Sequence, residues 1–251
     1  MTDSYRPYII LSTPRSGSNY LAHLLNSHLN IMSYGEPFQP DFLLGNPRQT
    51  LFENPLIYVA YKRLRSRYPI FFIKHLIYKK YPKHISAVGF KIFYEHAQMG
   101  YLKFVWPYLK TIPDLHVIHL KRRNLLKSYV SYKIALITDQ FVAFHTPRNK
   151  PTIKLALDYG ECVAYFHSIE QWRKKYEIYF SGKQILPMYY EDLCTNATRE
   201  LNTLEEFLAV PRRKLSCSLK KQNLRSLRSI INNYSSLQKR FSQTPWAHFF
   251  D

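Results

Sequence analysis

Apolar positions recur with two different periods along this chain, and the changes of period mark its elements. Tyr8 to Leu11 form a short unbroken apolar run, and from Asn19 the residues Tyr20, Leu21, Leu24 and Leu25 follow helical spacing to about Leu29. A strand, a tight loop and a helix are predicted. Ala87 to Phe93 reads as a buried strand carrying one lysine, Lys91, followed by a helix from about Glu95 to Leu109 interrupted near Pro107. Leu115 to Leu120 is the next strand, after which Asn124 caps a helix whose apolar positions include Leu125, Leu126, Tyr129 and Val130. Ile153 to about Phe180 predicts one long packing helix, Gln184 to Tyr190 a fourth strand, and Leu201, Leu204, Phe207 and Leu208 a helix capped by Thr195 or Asn196. Residues 41–84 predict short helices and loops outside the regular core. The basic, polar tail from Pro211 predicts either a flap over a ligand or plain surface.

With 251 residues, 46% of them hydrophobic, the chain can bury a full core, and one domain spanning residues 1–251 is expected. No secretory hydrophobic segment precedes the first strand, and the longest apolar neighbourhood, Tyr68 to Tyr78, is broken by Lys74 and His75, so a soluble protein is expected. Cys162, Cys194 and Cys217 are too dispersed for a disulfide framework or a metal-ligand cluster, which fits a reducing compartment, the cytoplasm. No internal repeat is present, which disfavours a solenoid.

Charge changes this picture. The net charge is +19, and no Asp or Glu lies between Glu53 and Glu95 or between Glu206 and Asp251. Such a field attracts polyanions: a nucleotide with several phosphates, an acidic glycan, an anionic membrane or a nucleic acid. Tyr61 to Tyr68 and Tyr78 to Tyr81 interleave aromatic and basic residues, as in an amphipathic helix with a wet face or a surface that stacks on bases and sugars.

The candidate chemistry begins in Thr13-Pro14-Arg15-Ser16-Gly17-Ser18-Asn19, between the first strand and helix. Backbone N–H groups at that helix start, Arg15 and the Ser16 and Ser18 hydroxyls can surround a phosphate-like anion. A single glycine and no Gly-Lys-Ser/Thr ending weaken a kinase or ATPase reading. Lys121, Arg122 and Arg123 place three cations at a helix start whose dipole is already positive, a conflict that an anion would resolve. Glu36, between Gly35 and Pro37, is a candidate general base or the partner of a local cation. Lys91 either points into a ligand crevice at the strand's C-terminal end or guards a sheet edge.

These motifs, in this order, resemble the sulfotransferases that use 3′-phosphoadenosine 5′-phosphosulfate (PAPS), above all bacterial carbohydrate sulfotransferases of the trehalose and nodulation-factor type. Thr13 to Asn19 is similar to their 5′-phosphosulfate loop, and Arg123 followed by Ser131 to their 3′-phosphate site. Weaker echoes run through Tyr190-Glu191-Asp192-Leu193 and from Lys221-Gln222-Asn223 to Asn233-Tyr234. The resemblance implies an α/β, P-loop-like three-layer fold with a central parallel sheet flanked by helices. It also implies that Arg15, Ser16, Gly17, Ser18 and Asn19 hold the phosphosulfate, Arg123 and Ser131 the 3′-phosphate, and that Tyr190 lies near the adenine. Glu36 would be the base with His96 in reserve, Arg15 would stand where many relatives carry lysine, and no metal is needed. The implied reaction is sulfuryl transfer to a hydroxyl of a carbohydrate or glycolipid, in a pocket built by residues 38–84 and 139–153. An acidic or membrane-associated acceptor suits the charge, nucleic acid is not the expected partner, and the oligomeric state is left open. The competing class is a basic nucleic-acid or membrane-surface binding protein without catalysis.

Overall fold

The computed structural model describes residues 5–39, 55–140, 153–219 and 225–250. The chain opens with β1 (Arg6–Ser12), α1 (Ser18–Ser27) and β2 (Ile31–Tyr34). It continues through α2 (Pro55–Arg67) and α3 (Pro69–Phe72, extended by a π-helical turn, Ile73–Ile77) into β3 (Ala87–Phe93). A 3-10 turn (Gly100–Phe104), α4 (Val105–Thr111), β4 (His116–Lys121), α5 (Leu125–Thr138) and α6 (Tyr159–Tyr179) follow. The last strand, β5 (Gln184–Tyr189), runs into α7 (Tyr190–Thr195) and α8 (Ala197–Phe207), and α9 (Leu227–Ile230), α10 (Tyr234–Phe241) and a 3-10 turn (Ala247–Phe250) close the chain.

All strand pairings are parallel, in the order β2-β3-β1-β4-β5. Parallel strands carry helices on both faces and so read as continuous apolar runs, as β1 and β3 do. Alternate residues of β1 divide between two cores. Ile9 and Leu11 join Phe90, Ile92 and Val117 beneath α3 and α4, whereas Tyr8 and Ile10 join Ile118, Leu120 and Met188 beneath α1 and α8. Gly89 lets the two strands lie together, because a Cβ there would sit 2.5 Å from the Tyr8 ring. Since the chain builds one side of β1 first and the other side later, the loop after β1 sits at the switch point, where open α/β sheets hold ligands.

The predicted P-loop-like arrangement of a parallel sheet flanked by helices is present, with several corrections in detail. Ile31–Tyr34 adds an unpredicted edge strand, and β3 is internal, between β2 and β1, so Lys91 guards no edge. No helix begins at Glu95: Phe93 N–H donates to His96 Nδ1 at 3.3 Å, and Ala97 and Gly100 have φ of 57° and 59°, which closes a turn instead. The helix starts at Val105, and Pro107 falls in its first turn, where a missing N–H is harmless. Residues before Tyr159 are extended, because Leu155 bridges Ile231, and Asp158 then caps α6 by accepting from Glu161 N–H. The tail is largely exposed over residues 211–219, as the surface reading had it, but from Leu227 it is neither flap nor plain surface. Leu227, Ile230, Leu237, Phe241, Trp246 and Phe249 form a buried cluster with α5 and α6.

Candidate functional site

The C-terminal ends of β1, β3 and β4, with the start of α7, supply the residues of the site. In the loop after β1, Arg15 and Gly17 both adopt left-handed backbone, with φ of 62° and 88°. Left-handed residues within such a loop turn successive N–H groups toward one concave side, a nest suited to an anion. Gly17 is required twice over, because a Cβ there would lie 2.1 Å from the Tyr190 ring as well as carry strain. Ser16 is buried and its hydroxyl has no hydrogen-bond partner, leaving a polar group in the loop free to meet a ligand.

Two arginines converge on this loop. Arg15 Nε donates to Ser131 Oγ at 3.0 Å, which joins the loop after β1 to α5. Arg122 donates from a terminal nitrogen to the Arg15 carbonyl at 3.0 Å and lies 5.2 Å over the Tyr190 ring, while its Nε makes no hydrogen bond and has the Glu191 carboxylate at 3.9 Å. Burial pushes both guanidinium groups down from their ordinary range, and for Arg15 the neighbouring Arg122 adds to the effect. Two half-hidden cations side by side form an environment that an anion stabilises.

Arg123 has a different setting. It forms a bidentate pair with Asp192 at 2.6 and 2.7 Å and lies 4.1 Å over Tyr189. Glu191 accepts from the backbone N–H of Arg123 at 3.0 Å and of Asn124 at 3.4 Å, placing a carboxylate against the start of α5. Asn124 caps that helix as predicted, its side chain accepting from Lys127 N–H. The conflict of three cations at a helix start is therefore resolved within the protein, by Glu177 at Lys121, Glu191 at Arg122 and Asp192 at Arg123, and does not by itself call for a phosphate.

On the other side of β1, Lys91 donates to Glu36 Oε1 at 2.7 Å and to Asn19 Oδ1. Lys91 is buried and the Glu36 side chain is 14% exposed, so the pair is largely removed from water. Arg65 of α2 fixes the segment after Glu36 by donating to the carbonyls of Pro37 and Gln39 at 3.1 and 2.6 Å. Glu36 is thus the partner of a local cation, Lys91, as one of its two sequence readings had it.

His96 is buried, stacks on Phe93 with centroids 4.8 Å apart, and is held neutral, its pKa lowered to about 4 by burial. Its neighbour Glu95 was not among the sequence-derived candidates. Solvent reaches Glu95, yet protein crowds around it, and this loss of water raises its carboxyl to about 7, with Glu36 adding to the rise. Sequence reasoning also passed over Tyr165 on α6, which was assigned to packing alone. Tyr165 bonds Ser128 at 3.1 Å and lies against Thr13 of the loop, with burial raising its pKa. Arg122 stood in the basic run but was not singled out, and Tyr165 has no signal in spacing, since only the fold brings α6 to the loop. The structure thus gathers Arg15, Ser131, Arg122 and Tyr190 around the loop, and Glu36, Lys91 and Asn19 beside it. Residues 40–54 and 141–152, expected to line the acceptor pocket, and the Lys221-Gln222-Asn223 echo lie outside the described residues.

A family model described as sulfotransferase family matches residues 7–214. This chain belongs to the sulfotransferase family. The sulfotransferase is 30% identical to Nodulation protein H of Rhizobium tropici over 257 residues, covering 99% of this chain and 94% of that protein. It is 28% identical to Nodulation protein H of Rhizobium meliloti strain 1021, covering 98% and 95%. Among solved structures, a sulfotransferase from Alicyclobacillus acidocaldarius aligns over 97% of this chain and 92% of its own with 12% identity and a TM-score of 0.49. Mouse sulfotransferase SULT7A1 complexed with PAP aligns over 84% and 60%, with 14% identity and a TM-score of 0.42.

Proposed function

We propose that this sulfotransferase moves the sulfuryl group of PAPS to a hydroxyl of a carbohydrate or glycolipid by in-line displacement, with residues 1–251 acting as one catalytic domain. The observation that carries this reading is the bond from Arg15 to Ser131, which ties the loop that resembles a phosphosulfate loop to the helix whose Ser131 belongs to the motif resembling a 3′-phosphate site. Buried polar atoms without a hydrogen bond, Ser16 Oγ and Arg122 Nε, fit an anionic ligand at the same place.

When bound, PAPS supplies the sulfuryl group and a phosphate leaving group. Arg15, Arg122 and the N–H groups from Gly17 to Asn19 hold the negative charge that grows on that phosphate as its bond to sulfur breaks. Glu36 accepts the proton of the acceptor hydroxyl as its oxygen bonds to sulfur. Lys91 and Asn19 fix the Glu36 carboxylate and couple it to the donor loop. Arg123 and Ser131 hold the 3′-phosphate, with Asp192 setting the Arg123 guanidinium, and Tyr190 borders the adenine. The acceptor class follows the resemblance to nodulation-factor sulfotransferases, with which the full-length similarity to rhizobial nodulation proteins H agrees.

The test is transfer of radiolabelled sulfate from PAPS to a panel of oligosaccharides and glycolipids. Wild type labels a hydroxyl acceptor, and Glu36→Gln loses on the order of 100-fold or more in kcat while still binding adenosine 3′,5′-bisphosphate. Full activity in Glu36→Gln, with loss in His96→Asn, would move the base to His96. Labelling of no acceptor by nucleotide-bound wild type would contradict the acceptor class.

A further inference from the structure

The basic aromatic stretch singled out in the sequence plays no part in the site described above, and it forms a surface of its own. Tyr68, Phe71, Met99, Tyr101 and Phe104 are each between 46% and 83% exposed. They are brought together because the 3-10 turn packs against both α2 and α3. Arg67, at the end of α2, donates to the Tyr101 hydroxyl at 2.6 Å and covers that ring at 4.7 Å. Phe71 stacks on His75 one turn later, and Lys103 lies over Phe104. Single exposed apolar residues need no explanation, but a cluster of five marks an interaction surface.

The charge on this face has one sign. Arg63, Arg67, Lys74 and Lys103 are exposed on the same elements, and none forms an ion pair among the described residues. Across residues 55–112 the single carboxylate is Glu95, on the site side. Two copies of such a face repel one another, which disfavours self-association through it. A nucleic acid would satisfy the cations and stack on the tyrosines, but it offers no sink for Phe71 or the Met99 thioether. An anionic bilayer answers both: head-group phosphates meet the lysines and arginines, whose stems lie along the apolar surface, and the apolar tips enter the interface.

We infer that the face built by α2, α3 and the turn Gly100–Phe104 docks this enzyme on an anionic lipid bilayer, with Phe71, Met99 and Phe104 inserted at head-group depth. The same elements frame the acceptor side of the site. Arg65 of α2 holds the carbonyl next to Glu36, and the 3-10 turn follows directly from the turn bearing Glu95 and His96. Docking would therefore bring a lipid-anchored sugar hydroxyl to Glu36. This consequence rests on the glycolipid reading; the docking itself does not.

The experiment is flotation of the full chain with phosphatidylcholine vesicles, with and without phosphatidylglycerol, for wild type, a Phe71→Ser/Met99→Ser/Phe104→Ser variant and an Arg63→Glu/Lys74→Glu/Lys103→Glu variant. Thermal unfolding and binding of adenosine 3′,5′-bisphosphate confirm that each variant retains its fold and donor site, so failure here is separable from failure of the sulfotransferase mechanism. Wild type is expected to float only with anionic vesicles, and each variant to bind them on the order of tenfold or more weakly. Equal binding to neutral vesicles, wild-type flotation of the serine variant, tighter binding of this face to DNA or RNA, or a dimer abolished by the serine variant would each overturn the proposal.

Discussion

Arg122 and Arg123 follow one another at the end of β4 and meet opposite surroundings. Arg123 is half exposed and already answered, by two oxygens of Asp192 and the ring of Tyr189. Arg122 is largely buried, braces the left-handed Arg15 through its carbonyl, and faces the Glu191 carboxylate 3.9 Å from its Nε without a hydrogen bond. A buried donor left unmatched costs about 1–3 kcal/mol, and a protein keeps such a group where a ligand completes it. Arg122 thus meets its carboxylate at ion-pair distance only, leaving a hydrogen-bond donor for a further anion, whereas Arg123 is held by a bidentate pair. On the proposed reading, a second phosphate at Arg123 has to rearrange or supplement a carboxylate pair, whereas a first one fills the loop's nest.

The largest effect is expected where the nest is prepared. Arg122→Met should lower kcat/KM for the donor on the order of 100-fold or more, against about tenfold for Arg123→Met, measured as initial rates at limiting PAPS. Equal losses would erase the distinction between the two arginines. Gly17→Ala drives a Cβ into the Tyr190 ring and strains the backbone, so chemical denaturation should show a loss of roughly 2–3 kcal/mol together with loss of nucleotide binding. Asp192→Asn breaks an exposed pair, and its unfolding free energy should change by no more than about 1 kcal/mol. A much larger change would mean that the Arg123 side, too, is held under tension.

The smallest effect is a pH dependence. Glu95 keeps its proton in the fold up to about pH 7, while the unfolded chain releases it near 4.5. Between those values the native state binds more protons, so stability falls as pH rises through the window. His96 has the opposite sign, because the unfolded chain takes up a proton below 6.5 that the folded imidazole refuses until about 4, and stability rises with pH there. Glu95→Gln should therefore steepen the rise in stability toward neutrality, by less than about 1 kcal/mol given the access of solvent to Glu95. An unchanged profile of unfolding midpoint against pH would place Glu95 in water rather than among the groups around it.

Much of this architecture was legible from apolar runs, because buried parallel strands such as β1 and β3 leave no polar face to confuse the pattern. Asn124 and the Thr13 to Asn19 loop were legible for a related reason: caps and tight turns depend on local chemistry that the sequence states outright. The tail was misread because its cations lie on the outer faces of α9 and α10 and mask a spacing of Leu227, Ile230, Tyr234, Leu237 and Phe241 that is helical in hindsight. β2 escaped notice because four residues carry too little periodicity. In the site, Glu36 and Lys91 could be named separately but not as a pair, since parallel register brings Gly35 to the Lys91 N–H. The charge conflict at Arg123 was visible, but its resolution by Glu191 and Asp192 required knowing that β5 lies beside β4.

The central claim is that one site reads both phosphates of a 3′,5′-bisphosphorylated adenosine. Calorimetric titration of adenosine 3′,5′-bisphosphate against ADP, in moderate salt, on wild type and Arg123→Ala, tests it most directly. The account predicts binding of the bisphosphate at least about tenfold tighter than ADP, with that preference lost in the variant while binding at the Arg15 and Arg122 side persists. Equal, weak binding of both nucleotides that disappears as salt is raised would contradict it.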